Sequence, residues 1–479
     1  MRQINEIADI INDNGYTIHS IIMDTLGKFK MKTLCHRTGI VKKAGHEAFN
    51  ILALLLILPL LALKSVNQFL GSTYSGLAAM KKDTLYRFKN NERFPWRSLL
   101  MAVAKTFRQL AASGTGQQND SVITAFILDD TLEKCTGRIM EGVTRVFDHV
   151  IRKSVLGFKN LMLAFYDGTS TIPIDFSLHA EKKLKRVKAR PQYKKGVDPR
   201  SAGGKRRKEL NKNKIDQGLA MIRRAVKHGF IAKYVLCDSW FTSLDFVRGI
   251  RSIKNGAMHI IAGIRADKRT YSHKGELFTA KALIEKCKAT KSEKRCRKLG
   301  IRYFEAIVGY KCVGDVKLMI CRYPGQKKWR VFISTDTTLP FVQLMEIYGI
   351  RWTIEVMFKE MKQYLQLGKC QSKVFDAQIA DATISSVLYV LLAYVKRVES
   401  YETIGKLCQC IGDDMREKTL AERLWALFIE ILTFVIDTVV SAGDLELSKF
   451  KQTKEFQMIN DIFASSFLSN QLQELSKKA

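Results

Sequence analysis

The stretch Val122-Ile-Thr-Ala-Phe-Ile-Leu-Asp129-Asp130-Thr131 decides the fold. A near-continuous apolar run of this length predicts a strand buried on both faces of a sheet, and this one ends by delivering two carboxylates. Successive strand residues point to opposite faces, so only one of Asp129 and Asp130 can face a given site. A second buried run, Tyr234-Val-Leu-Cys237, ends the same way at Asp238-Ser239-Trp240-Phe241. Between the two, residues 161–166 and 171–176 flank the turn dipeptide Asp167-Gly168 and predict a hairpin. Residues 215–228 read as a helix with Leu219, Ile222 and Val226 on one side, 244–253 as another helix, and 259–264 as a third strand. The order is strand, hairpin, helix, strand, helix, strand.

Farther along, the chain reads Tyr348-Gly-Ile-Arg351-Trp352-Thr-Ile-Glu355-Val-Met-Phe-Lys359-Glu-Met-Lys362. On a helix, Tyr348, Arg351, Glu355, Lys359 and Lys362 fall on or near one face. That face carries one carboxylate inside a ring of cations, an arrangement that can hold a metal while its neighbours hold phosphates. The plain alternative is a solvated ladder of Arg351–Glu355–Lys359 pairs, worth a few tenths of a kcal/mol each. Residues 266–336 interrupt the plan: runs at 301–308, 316–321 and 329–334, with turn signals at Gly314-Asp315 and Pro324-Gly325, predict a β-rich insertion.

Net charge narrows the partners. The 479 residues hold 79 Lys and Arg against 46 Asp and Glu, a net +33, which favours a polyanion whose counterions are released on binding. Basic density peaks over residues 181–214, with fifteen cations against three acids. Gly196, Pro199, Gly203 and Gly204 argue against a helix there, so a flexible loop is expected to grip DNA, with Arg186, Lys188, Arg206 and Arg207 among its cations. Residues 1–115 read as largely helical; within them, 83–97 interleaves Phe94 and Trp96 with basic residues. Those rings either stack on bases or pack in a helix-to-helix connection.

Ten cysteines include no Cys-x2-Cys pair, and Cys408-x-Cys410 is too close for a usual zinc pair. With no secretory signal in view, they read as reduced thiols of a cytosolic protein. The apolar runs 51–63, containing Pro59, and 384–395 are short for a membrane span, and 424–440 carries Glu430 and Asp437; none is expected to cross a bilayer.

The spacing Tyr348-x2-Arg351-x3-Glu355-x6-Lys362 resembles the signature of the transposases of the IS4 family of bacterial insertion sequences, which often place a tryptophan where Trp352 stands. Asp129-Asp-Thr131 is similar to the family's first Asp-x-Thr/Ser site, and Asp238 to its second; the spacings are 238 − 129 = 109 and 355 − 238 = 117 residues. The resemblance covers roughly residues 120–400. It implies an α/β fold with a ribonuclease-H-like catalytic core over 120–265 and 337–372, whose first and fourth strands lie side by side. A β-rich insertion is implied at 266–336, a helical DNA-binding region at 1–115, and a helical region that would serve dimerisation at 373–479.

The function so implied is a DNA transposase that binds terminal inverted repeats, cuts both strands and joins the ends to target DNA in the bacterial cytoplasm. Two-metal phosphoryl transfer needs ions about 3.5–4 Å apart held by hard oxygen donors. Asp129, Asp238 and Glu355 would hold two Mg²⁺ ions, with Mn²⁺ as a substitute. Arg351, Lys359 and Lys362 would position phosphates and Tyr348 would hydrogen-bond one. Trp352 and Trp240 are candidates for stacking on a displaced base or, equally, for the core. A homodimer pairing two DNA ends is implied by the resemblance, as is a hairpin end formed with the insertion's help. Other acids are decoys: Asp167 falls at the hairpin turn, Asp148-His149 is not needed for two-metal chemistry, and Asp245 caps or solvates a helix. Two alternatives stay open: a transposase-derived DNA-binding protein without catalysis, and a ribonuclease-H-like nuclease acting on other DNA.

Overall fold

A computed structural model describes residues 19–72, 75, 80–113, 122–181, 196–265, 267–290 and 292–413. The chain divides into two compact units, one of residues 1–99, 363–370 and 376–479, the other of residues 100–362 and 371–375.

The second unit carries the sheet. Its strands are β1 (Ala125–Lys134), β2 (Thr144–Asp148), β3 (Lys153–Tyr166), β4 (Thr171–His179), β5 (Tyr234–Cys237), β6 (His259–Ile264), β7 (Thr270–His273), β8 (Glu276–Thr279), β9 (Lys294–Cys296), β10 (Ile301–Tyr310), β11 (Gly314–Arg322) and β12 (Arg330–Ser334). All join one sheet in the order β2-β3-β1-β5-β6-β12-β11-β10-β7-β8, with β4 beside β3 and β9 beside β10. Strand β1 runs antiparallel to β3 and parallel to β5, which is parallel to β6. The succession β4-β3-β1-β5-β6, with helices between the parallel strands, is the ribonuclease-H-like arrangement. Its centre is dry: Phe126, Ile127, Leu128, Val235, Leu236 and Cys237 are fully buried.

Strand β1 outruns the apolar segment that predicted it. It continues through the acids to Lys134 because the fourteen-residue β3 keeps pairing with it as far as Lys134↔Gly157. The insertion's three expected strands are present, and β12 pairs antiparallel with β6, so the insertion extends the same sheet. Strands β7, β8 and β9 and the helix Ala280–Ala289 escape sequence reading because they are short and polar.

Two expectations are corrected here. The helix Lys214–Lys227 buries Gln217, Gly218, Met221, Ile222 and Ala225, a face rotated from 219/222/226. Part of the supposed flexible loop is the helix Ala202–Glu209, N-capped by the Ser201 hydroxyl, which accepts from Gly204 N at 3.0 Å. Its glycines permit close approach: a Cβ on Gly204 would stand 2.2 Å from Asp198 O. Residues 182–195, with Arg186 and Lys188, lie outside the described residues.

The described residues of the first unit are largely helical, including His19–Lys28, Met31–Thr38, Ala48–Ile57, Val66–Leu70 and Lys82–Lys89. Ala48–Ile57 is buried at every position but Asn50. Phe88, Phe94 and Trp96 pack edge-to-face with centroids 5.0, 5.6 and 5.9 Å apart. Phe94 and Trp96 are therefore core rings, and the base-stacking alternative for residues 83–97 is lost for both. Among the described residues, the only helix long and apolar enough to cross a membrane is Phe375–Val398. It is 89% buried over its apolar window, as a core helix is. The segment 424–440 lies outside the described residues.

Candidate active site

Register places the first two acids. Leu128 and Cys237 form the last pair of the parallel β1–β5 ladder, so Asp129 and Asp238 emerge together at its end. Asp130 N donates back to Asp129 Oδ1 at 2.8 Å. Asp238 Oδ1 accepts from Trp240 N at 2.8 Å, closing a turn that holds its carboxylate at the head of the loop.

The third acid arrives on a broken helix. Residues 348–362 do not form the single helix expected: Phe341–Gly349 ends and Trp352–Tyr364 begins across Ile350-Arg351. The junction tightens to i→i+3 bonds, with Arg351 N donating to Tyr348 O at 3.0 Å and Thr353 N to Ile350 O at 3.0 Å. Arg351 thus sits at the corner. Its Nη1 donates to Asp129 Oδ2 at 3.0 Å and its Nη2 to Glu355 Oε1 at 2.8 Å, joining acids 226 positions apart (355 − 129).

Strand alternation separates the neighbouring acids. Asp129 faces Arg351, whereas Asp130 pairs on the other face with Lys214 and, at 3.9 Å, with Lys159. Thr131 returns to the Asp129 side, where Lys362 Nζ donates to its hydroxyl at 2.6 Å. Burial pushes the Asp129 carboxyl up to about 7; the Arg351 guanidinium pulls the other way, and the adjacent Asp238 and Asp130 add to the rise. Burial likewise pushes the Tyr348 phenol up to about 12 and the Lys362 ammonium down.

Tyr348 lies edge-on to Phe332 at 4.8 Å and carries the Arg351 guanidinium 5.7 Å from its ring centroid. Lys359 is exposed. Trp352 is 61% exposed and Trp240 37%, so both rings are open to a partner, Trp240 with Lys214 Nζ 4.2 Å from its centroid. Asp238, Tyr348, Arg351 and Trp352 line a cleft of about 520 Å³ together with Trp329 and Arg330. Sequence reading took residues 329–334 only as a strand and missed those two, which lie 91 and 92 positions beyond Asp238 (329 − 238 and 330 − 238). It also missed Lys214, which nothing but tertiary placement brings to Asp130.

Arg206 and Arg207 do not reach this site. Arg206, 5% exposed, donates to Phe176 O, pairs with Glu209 at 3.4 Å and lies 4.6 Å from the Phe176 ring. Arg207 holds Glu141 through two bonds, 2.6 and 2.8 Å. The buried carboxylates Glu209 and Glu141 require these cations, so both arginines, expected to hold DNA, are engaged within the fold.

Asp129 and Asp238 supply adjacent hard oxygen donors, which suit a hard divalent ion and not a soft one. Glu355 stands next to Asp129 through Arg351; among the described residues no three acidic, histidine or cysteine side chains converge closely enough on one point to hold an ion. The donor set therefore fits a divalent ion at the two aspartates, with the glutamate in reserve.

A family model described as DDE superfamily endonuclease matches residues 43–295, more than half of the chain, and one described as Transposase DDE domain matches residues 209–391. The chain belongs to the DDE superfamily of endonucleases. More narrowly, it is a DDE transposase, an enzyme that cleaves DNA in transposition, and such enzymes generally use divalent metal ions. No match was found among curated proteins.

Proposed function

We propose that this chain is a cut-and-paste transposase of the IS4 type, which binds the terminal inverted repeats of its own element, frees both strands and joins them to target DNA. The observation that carries the reading is the meeting of Asp129, Asp238, Arg351 and Glu355 at the end of β1 and β5. The motif Tyr348, Arg351, Glu355, Lys362 supports the narrower family assignment.

On this reading Asp129, Asp238 and Glu355 hold two Mg²⁺ ions, or Mn²⁺ in their place. Bound there, such ions activate the attacking oxygen and stabilise the leaving one. Arg351 turns from the carboxylates to a DNA phosphate, releasing Glu355 to serve as a ligand. Lys362 and Tyr348 orient phosphates along the cleft, Lys359 meets the backbone outside it, and Trp352 or Trp240 stacks on an extruded base. The helical N-terminal region holds the element's ends, residues 266–336 help shape a hairpin end, and two copies pair the two ends through C-terminal helices. A reducing, nucleoid-associated location in the bacterial cytoplasm suits a DNA enzyme with ten free thiols.

The test is Mg²⁺-dependent cleavage of a duplex bearing the element's terminal repeat, comparing wild type with Glu355→Gln. Cleavage at the repeat's edge by wild type alone supports the reading. Equal binding by both and cutting by neither, with Mn²⁺ also tried, favours a second reading, a DNA-binding descendant. In that protein the Arg351 bridge would be a permanent ion pair.

A further inference from the structure

Strand β3 does not stop at the active site. Asp129 stands opposite Met162, yet β3 begins nine residues earlier, at Lys153 (162 − 153), and pairs there with β2 through Asp148↔Lys153. At about 3.3 Å per residue, the β2–β3 hairpin carries its turn about 30 Å past Asp129 along the strand. It runs in the direction in which β1 and β5 deliver their acids, and the arm is braced. Lys134 Nζ pairs with Asp148 at 2.8 Å, Asp148 Oδ1 accepts from Val150 N at 2.9 Å, and Arg145 Nη1 donates to Ser154 O at 3.2 Å. Arg152 closes the four-residue turn with φ +53°, a left-handed position.

The tip is apolar where a surface turn is ordinarily polar. Val150 is 90% exposed, Ile151 47% and Phe147 39%. Around them stand the cations Arg145, Arg152 and Lys153 against two carboxylates, Asp148, which is paired with Lys134, and Glu181, whose Oε2 accepts from Phe147 N at 3.0 Å. Three side chains are too few for a stable protein interface, which needs about 1,000 Å² or more. A few apolar side chains on a stiff cationic arm match instead the wedges that enter the minor groove, part a base step and kink the duplex.

We propose that the β2–β3 hairpin is a DNA wedge: Val150 and Ile151 enter between base pairs and unstack them, while Arg145, Arg152 and Lys153 hold the flanking phosphates. The wedge acts within about one helical turn of the scissile phosphate, since the arm's reach is close to the pitch of B-DNA. The inference rests on duplex DNA as the substrate, but not on the assignment of the carboxylates.

The test needs no metal. A torsionally constrained duplex of arbitrary sequence is held in magnetic tweezers in EDTA, and full-length protein is added. The expected result is a shift of the extension maximum toward negative turns with shortening of the tether. The double variant Val150→Ser, Ile151→Ser loses the shift at saturating protein while affinity falls less than about tenfold. Arg152→Ala, Lys153→Ala keeps the shift at saturation but lowers the salt slope of binding by about two, one per lost phosphate contact. Both pairs are exposed, and an unchanged melting temperature checks that they fold. No shift with wild type, or an undiminished shift with the serine variant, overturns the wedge. So does an undiminished shift with a change of oligomeric state by light scattering, which would assign the tip to a second copy. Cleavage in Mg²⁺ is measured separately: wild type that cuts without unwinding loses only the wedge, and wild type that unwinds without cutting loses only the nuclease reading.

Discussion

Arg351 donates to Asp129 Oδ2 at 3.0 Å from the corner between two helices, and with its other amino group holds Glu355 at 2.8 Å. One guanidinium thus neutralises two of the three carboxylates proposed to bind metal. A cation so placed competes with a divalent ion and is drawn away by a phosphate.

Arg351→Gln is therefore expected to tighten Mn²⁺ binding to the DNA-free protein by about tenfold, the effect of removing a charge worth about 1–2 kcal/mol at a partly buried pair. Electron paramagnetic resonance titration of free Mn²⁺ reads this directly. The same variant should cut DNA poorly, since nothing then holds the phosphate. Weaker Mn²⁺ binding would mean that Arg351 organises the carboxylates and does not compete for them.

Arg207 and Glu141 form a buried bidentate pair, and Glu141 Oε2 also accepts from Phe375 N at 3.0 Å. Arg207→Ala leaves a buried carboxylate without its main partner, a change that costs about 3–5 kcal/mol. A clear fall in melting temperature is expected, with duplex affinity per folded molecule within twofold of wild type. A loss of affinity without loss of stability would return Arg207 to the DNA-binding surface.

How much of this was readable in advance depends on what kind of force placed each residue. Tyr234–Cys237 and His259–Ile264 form strands with the bounds their apolar runs predict, because a strand buried on both faces leaves little choice of period. Alternation shows that only one of Asp129 and Asp130 can face the site, and the resemblance of Asp129-Asp-Thr131 to the Asp-x-Thr pattern selects Asp129. The Ile350-Arg351 corner was not legible, since i→i+3 tightening needs no glycine or proline and leaves the helical pattern intact. The pairing of Arg206 and Arg207 with internal acids was not legible, because a run of cations looks alike whether solvated or matched to distant acids. Glu141 lies 66 positions from Arg207 (207 − 141), and no local rule joins them.

His179 is 2% exposed, with Nδ1 3.2 Å from Lys212 O and no partner for Nε2. Burial holds its pKa down to about 4, with Lys214 also lowering it and Glu209 and Asp130 opposing. The unfolded chain, at an ordinary value near 6.5, binds the proton first. Stability from the neutral ring is thus complete above about pH 6.5 and is lost as pH falls toward 4, by about 2 kcal/mol between pH 7 and pH 5. Unfolding free energies from urea titrations at those two pH values should differ less in His179→Asn by that amount. An equal pH response in variant and wild type would mean that the ring titrates normally in the fold.

The loop that presents Asp238 is tied down by a hydroxyl. Thr242, 1% exposed, donates from Oγ1 to Ser239 O at 3.0 Å and lies 3.2 Å from Gly263 O on β6, while Arg269, held by Asp267 at 2.8 Å, donates to Thr242 O. Thr242→Val keeps the shape and removes the donor, leaving the Ser239 carbonyl short of a partner at a cost of about 1–3 kcal/mol. If this hydroxyl fixes the Asp238 carboxylate beside Asp129, the variant should cleave DNA about tenfold more slowly at saturating substrate while binding the duplex as wild type does, because a looser ligand weakens the reacting geometry and not the phosphate contacts. Thr242→Ser, which restores the hydroxyl, should recover the rate. A stability loss in Thr242→Val with an unchanged maximal rate would limit Thr242 to holding the fold and leave Asp238 positioned by its own turn through Trp240 N.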